Sequence, residues 1–315
     1  MINIRRSAVL LFVLFLTAGA AHSVSFNRLI YPVKTKDASG DILIQKQPPA
    51  RIISIDPAIT EILFALNLSD KIVGVTQNCD YPEEAEKIAS VGRDRVDIKK
   101  VVELKPDLVL ANFYTQRSDI RKLRRTTLPL ISGETSAKPI QVFTVDPRSL
   151  QDIYDAISTI GTVTNKEHSA YSLLQRMKRR VEWVEARAKK EKKLKALVIV
   201  KKRPLTAAGE GTYLYDLSGI AGFINAAPRG KMYPTMSRQE IIKADPDIII
   251  AGSGVAKNPK DIYNDRNFGK TPAGRNKKAV CINADIFSRL GPRVVQALDE
   301  MAAFAYGWPR EGDGN

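Results

Sequence analysis

The chain has 315 residues, enough for one large or two medium domains, and carries 49 Lys and Arg against 34 Asp and Glu, a formal charge of +15. It holds two histidines, His22 and His168, and two cysteines, Cys79 and Cys281. So few histidines exclude a histidine cage for a transition metal and leave no plausible base beside a nucleophile, while the basic excess favours acidic ligands or an anionic surface.

Residues 1–20 read as a signal peptide. Arg5 and Arg6 precede the apolar run "SAVLLFVLFLTAGAA", which is too short for a comfortable membrane span and ends in small residues, with a cut expected after Ala20. Loss of Arg5 and Arg6 leaves +13 on the mature chain. No cysteine follows the run, so the expectation is a protein free in the periplasm and not a lipoprotein; a charge of this sign then does not point to nucleic acid. Residues 21–50 form a polar lead rich in Lys, Pro and Gly.

Residues 51–148 alternate as an α/β lobe. "RIISI" is a short β-branched run, "AITEILFALNL" repeats apolar residues at three and four, "KIVGVT" is a second strand, "DIKKVVELK" is helical, and "DLVLA", "LPLISG" and "VFTV" add strands. Strand, helix, strand in this order implies parallel pairing through crossover helices. Residues 149–195 change character: a short helix is followed by one of ~30 residues, on the order of 45 Å long. Its cationic end, "KRRVEWVEARAKKEKKLK", has Glu182, Glu185 and Glu191 interleaved at helical spacings, the pattern of a solvated face. From 196 to 308 the alternation resumes, ending in the helix "RVVQALDEMAAFAYGW"; residues 309–315 are a tail. The pattern is α/β, two Rossmann-like lobes with parallel sheets joined by one long α-helix.

One internal echo supports two lobes. "VVELKPDLVLA" (101–111) and "EIIKADPDIIIAG" (240–252) both run from a helix end through Pro-Asp into an apolar strand.

In open parallel sheets, ligands sit beyond the carboxyl ends of the strands. Those ends carry Asp56, Pro57 and Ala58, where a helix start with Asp56 or Thr60 as cap could offer N–H groups to a ligand. They also carry Asn78 and Cys79; Asn112, Phe113 and Tyr114; Gly209, Gly211 and Tyr213; and Asp285, Phe287 and Arg289. Aromatic and charged residues at such places describe a cleft for a large, flat, partly apolar ligand. "AAGEGTY" lacks the Lys-Ser/Thr of a phosphate loop. Cys79 and Cys281, in different lobes near the cleft, are expected to be free thiols, because a bridge would obstruct ligand exchange.

Together "RIISIDPAITEILFALNLSDKIVGVTQNCDYPEEAEKIASVG", "IKKVVELKPDLVLAN", "YPTMSRQEIIKADPDIII" and "FSRLGPRVVQALDEMA" resemble the helix-bridged periplasmic solute-binding proteins of ABC importers for cobalamin, haem and ferric siderophores. The likeness runs from about Arg51 to Tyr306 and is nearest the vitamin B12 branch, through "DYP" and the Arg-x-Gly-Pro-Arg of residues 289–293. It implies the class III periplasmic-binding-protein fold, a rigid bridging helix, a shallow cleft, and a monomer without catalytic residues, resident metal or cofactor. It implies a corrinoid ligand, held by Phe113, Tyr114, Tyr233 and Phe287 and by polar contacts from Asp285 and Arg289, with Pro57, Ala58, Asn78 and Asn112 lining the cleft. It further implies delivery to a permease and ATPase complex in the inner membrane, docked through Glu103 on one lobe and Gln239 and Glu240 on the other. Lys99 stands where the family usually has Glu, and a lysine facing a permease arginine would repel it. Haem or a ferric siderophore is the alternative ligand, and a sensor that kept the fold without a transporter is the alternative of another class.

Overall fold

The structure is a computed structural model that describes residues 31–309 apart from Thr115 and residues 129–137. The expected signal segment, His22, most of "LPLISG" and residues 310–315 lie outside the described residues.

Four strands form the first sheet, in the order Ile72–Val75, Ile52–Ser54, Leu108–Asn112, Val142–Val145, with every pairing parallel. Ile52, Ile53, Leu108 and Val109 are fully buried, as expected for a parallel sheet covered on both faces. The crossover between the first two strands in sequence is the helix Pro57–Ala65. Asp56 caps it by accepting from the Ile59 N–H at 3.1 Å, and Pro57 fills the first turn, where no N–H is needed. Thr60 takes no capping role; it is buried and donates to Ser54 Oγ at 2.8 Å.

In the second lobe the strand Lys195–Lys202 pairs in parallel with Ile248–Gly252, which pairs in parallel with Ala279–Ile282. The opposite edge of Lys195–Lys202 is shared by the antiparallel Leu205–Ala207 and the short parallel Ile224–Asn225. Between the lobes run the helices Leu150–Val163 and Glu167–Ala188. The first opens on a capping box, with Ser149 Oγ accepting from the Asp152 N–H and Asp152 accepting from the Ser149 N–H.

Within the fold the structure shortens the expected long helix and adds a hairpin to the polar lead. The long helix has 22 residues and stops at Ala188, leaving Lys189–Lys193 outside it. Like charges at 189, 190, 192 and 193 would repel across the next turn. Ala188 is also seated against Gly222, where an added Cβ would lie 3.0 Å from the Ala188 Cβ. The polar lead, moreover, is not structureless: Val33–Lys36 and Ile42–Gln45 form an antiparallel hairpin. Asp37 fastens it to the first lobe, pairing with Arg124 at 2.6 Å and accepting from Thr144 Oγ1 at 2.7 Å. Polar composition hid this hairpin because its stability comes from Asp37 and the lobe, not from an apolar run of its own.

Candidate functional site

The structure divides the expected ligand-site residues into three groups. The first turn of Pro57–Ala65 is saturated internally. The Ile59 N–H goes to the Asp56 carboxylate, the Thr60 N–H to the Asp56 carbonyl, and Ala58 lies under Gly291 of the other lobe, whose added Cβ would be 3.3 Å from the Ala58 oxygen. The expectation that the helix start at Pro57 and Ala58 offers free N–H groups to a ligand is therefore corrected: Asp56 takes those groups and Gly291 covers Ala58. Burial pushes the Asp56 carboxyl up, opposed by the N–H groups of Ile59 and Ala58 and by the Arg289 charge.

The second group joins the lobes. Glu61, 3% exposed, accepts from Arg293 Nε at 3.0 Å and Nη2 at 2.5 Å, and from Arg289 Nη1 at 3.3 Å. Arg289 reaches on to Asp80 at 2.6 Å, to the Asn78 carbonyl at 3.3 Å, and to Asp285 of its own lobe at 3.0 Å. The Arg293 guanidinium also stacks 3.8 Å from the Tyr81 ring centroid. The hydrogen bond from Arg289 holds the Asp80 carboxyl below the ordinary range. A cavity of about 510 Å³ opens beside this cluster, lined among others by Phe64, Tyr81, Pro292 and Arg293. Asp285, Arg289 and the Asn78 carbonyl thus come together, with the charges spent on the junction between lobes.

The third group stays at the surface of the two lobes. Tyr114 is 63% exposed on the first lobe, with the guanidiniums of Arg117 and Arg148 each 5.4 Å from its ring centroid. Asn112 shapes this corner: its side chain accepts from the Tyr114 N–H at 3.1 Å. Phe113, half-buried, packs on the core beneath and lies 4.9 Å from Arg117. In the second lobe Tyr233 is 54% exposed, next to Met232. Their segment is held by the Gly209 N–H donating to the Met232 carbonyl at 2.7 Å, an approach only glycine permits, since a Cβ at 209 would sit 2.2 Å from the Lys231 oxygen. Phe287 is not part of this surface. It is 4% exposed, packs against Gly252, and its carbonyl accepts from the Tyr213 hydroxyl. The expectation of a ligand contact there is corrected to a core residue; the helix Ala284–Ser288 turns its aromatic side inward.

Glu103, Gln239 and Glu240 are exposed near the ends of the helices Ile98–Glu103 and Arg238–Ala244, as is Lys99. Glu240 also closes a capping box on the Ser237 N–H at 2.6 Å, which lowers its carboxyl. Cys79 and Cys281 are both free; Cys79 is buried with its Sγ 3.2 Å from Thr76 Oγ1.

Sequence reasoning missed Glu61, Asp80, Tyr81 and Arg293. One signal was available: Glu61 stands within "AITEILFAL", where helical spacing buries it, and a buried carboxylate requires a cation.

The sequence matches the family described as periplasmic binding protein over residues 52–285. It is 29% identical over 282 residues, 88% of this chain and 86% of the relative, to an uncharacterized ABC transporter substrate-binding lipoprotein, YvrC, of Bacillus subtilis. The vitamin B12-binding protein of Vibrio cholerae is 22% identical, over 84% of this chain and 91% of its own length. Among solved structures, a possible iron-binding periplasmic solute-binding protein from Staphylococcus epidermidis superposes with a TM-score of 0.71 at 27% identity, covering 82% of this chain and all of that one. The lipoprotein relative overturns the expectation that this protein is not a lipoprotein. The fold is that of class III periplasmic binding proteins, and the protein binds its solute without transforming it. With two parallel-sheet lobes, a bridging helix and a family match across both lobes, the chain belongs to the periplasmic binding protein family.

Proposed function

We propose that this protein is the extracytoplasmic substrate-binding component of an ABC importer and carries a corrinoid between its lobes to a membrane permease. The observation that carries this reading is the pair of exposed rings, Tyr114 just beyond the carboxyl end of Leu108–Asn112 in the first lobe and Tyr233 at the outer edge of the second sheet, beside Leu205–Ala207. Rigid aromatic faces bind a broad, partly apolar macrocycle at low entropic cost. The vitamin B12-binding relative supports the choice of ligand. Isothermal titration with cyanocobalamin and cobinamide is the test: a saturable heat is expected, and its absence at micromolar protein overturns the corrinoid.

A second reading, haem or an anionic ferric siderophore, is favoured by one feature. Arg117 and Arg148 flank the Tyr114 phenol, so two cations and a potential iron ligand share one corner. A Soret band on the purified protein, or on titration with haemin, would select it. In either case Glu103, Gln239 and Glu240 supply the permease-docking positions, with Lys99 opposing them on the first lobe. Recovery of a permease and ATPase pair by affinity capture is expected; failure to recover one would favour a sensor without a transporter.

A further inference from the structure

We propose that Glu61, Arg289 and Arg293 form a strut that sets the width of the cleft before any ligand arrives, making the cleft a preformed slot. Glu61 belongs to the first lobe and both arginines to the second. The Glu61 side chain is 2% exposed, and its two oxygens receive three guanidinium N–H groups at 2.5, 3.0 and 3.3 Å. Between the arginines sits Gly291, whose lack of a side chain lets the second lobe lie directly on Ala58 of the first.

Parting the lobes at this point would break three charge-assisted hydrogen bonds at once, two of them the paired contacts from one edge of the Arg293 guanidinium. Each arginine is also braced within or across the junction: Arg289 by Asp80, Asp285 and the Asn78 carbonyl, Arg293 by the Tyr81 ring. A second tie lies at the far edges of the sheets. There the Tyr213 N–H donates to the Arg148 carbonyl at 3.0 Å, and the Leu150 N–H donates to Asp216 at 3.3 Å. In the first sheet the strands ending at Ser54 and Val75 stand on the strut side and the strand ending at Val145 on the other, with the strand leading to Tyr114 between them. Both flanks of the gap are therefore tied while its centre stays free. That the slot takes the solute rests on the proposed function; the strut itself needs no ligand.

The test is made on ligand-free protein. Nitroxides are placed at Lys99→Cys and Gln239→Cys, on exposed helices of opposite lobes, in a Cys79→Ala, Cys281→Ala background, and double electron–electron resonance reads the distance between them. A narrow distribution is expected for the parent. Glu61→Gln, or Arg289→Met with Arg293→Met, should broaden it and move it to longer distances while circular dichroism retains the helical signal. Superposition of the variant and parent distributions overturns the strut. Should Glu61→Gln fail to fold, Arg289→Met and Arg293→Met taken singly decide, because each leaves Glu61 one arginine. Lobes that loosen in a protein that never binds a corrinoid would uphold the strut and sink the ligand.

Discussion

Asp107 and Asp247 perform the same task in opposite lobes. Each follows a proline, and each carboxylate accepts the backbone N–H that opens the neighbouring strand: Arg51 at 3.0 Å in the first lobe, Lys195 at 2.8 Å in the second. Each residue's own N–H returns to the carbonyl of that same partner, at 2.9 and 2.8 Å. The residue before each proline, Lys105 or Asp245, takes a left-handed conformation with φ of 45° or 51°, ending the preceding helix. Asp107→Ala and Asp247→Ala should each cost about 1 kcal/mol, the scale of one hydrogen bond. Because the sites are in different lobes, the losses should add. Urea unfolding of the single and double variants checks both statements.

Asp37 anchors the hairpin more strongly. Its side chain is 1% exposed and bonded to Arg124, Thr144 and the N–H groups of Ser39 and Asp41. Asp37→Ala leaves Arg124 without this partner and should cost about 3 kcal/mol, the scale of breaking a buried pair. Limited proteolysis is expected to cut near residues 38–41 in the variant before the rest of the chain is touched.

Tyr233→Ala and Tyr114→Ala should each weaken ligand binding by about tenfold or more, equivalent to at least ~1.4 kcal/mol for truncating an aromatic anchor. Calorimetric titration with whichever ligand binds measures it, and unchanged affinity in both variants would place the ligand elsewhere.

The Asp80 carboxyl is held low by its hydrogen bond from Arg289. A depressed folded value means that its stabilising contribution is present above the unfolded value, about 3.9, and is lost as pH falls through the lower folded value. Wild type should therefore be more stable than Asp80→Asn above about pH 5, with the two converging in stronger acid. Unfolding midpoints measured against pH for the pair give the answer, and parallel curves would contradict it.

Burial raises the thiol pKa of Cys79 and, to a smaller extent of burial, that of Cys281. Since the thiolate is the reactive form, both should be slow towards iodoacetamide at neutral pH, with Cys281 modified before Cys79. Mass spectrometry of timed samples should show that order in the native protein, and both thiols reactive once it is unfolded without reductant.

Local order was legible in the residues themselves. The apolar runs at 52–54, 108–112 and 248–252 announced buried parallel strands because a strand covered on both faces has no polar side to display. Asp56-Pro57 announced a helix start, and the repeated Pro-Asp announced two equivalent lobes, because capping and proline geometry act within a few residues. What no local pattern could contain is the pairing of groups about 200 positions apart. Arg289 reads as a ligand anchor until Glu61, 228 residues earlier, claims it. Phe287 reads as a cleft aromatic until the turn of a five-residue helix directs it into the core. Sequence determined which segments became strands, helices and caps, since propensity and periodicity are short-ranged. Tertiary structure alone decided which charges are spent holding the lobes together and which rings are left free, because burial and ion pairing depend on neighbours that only the folded chain supplies.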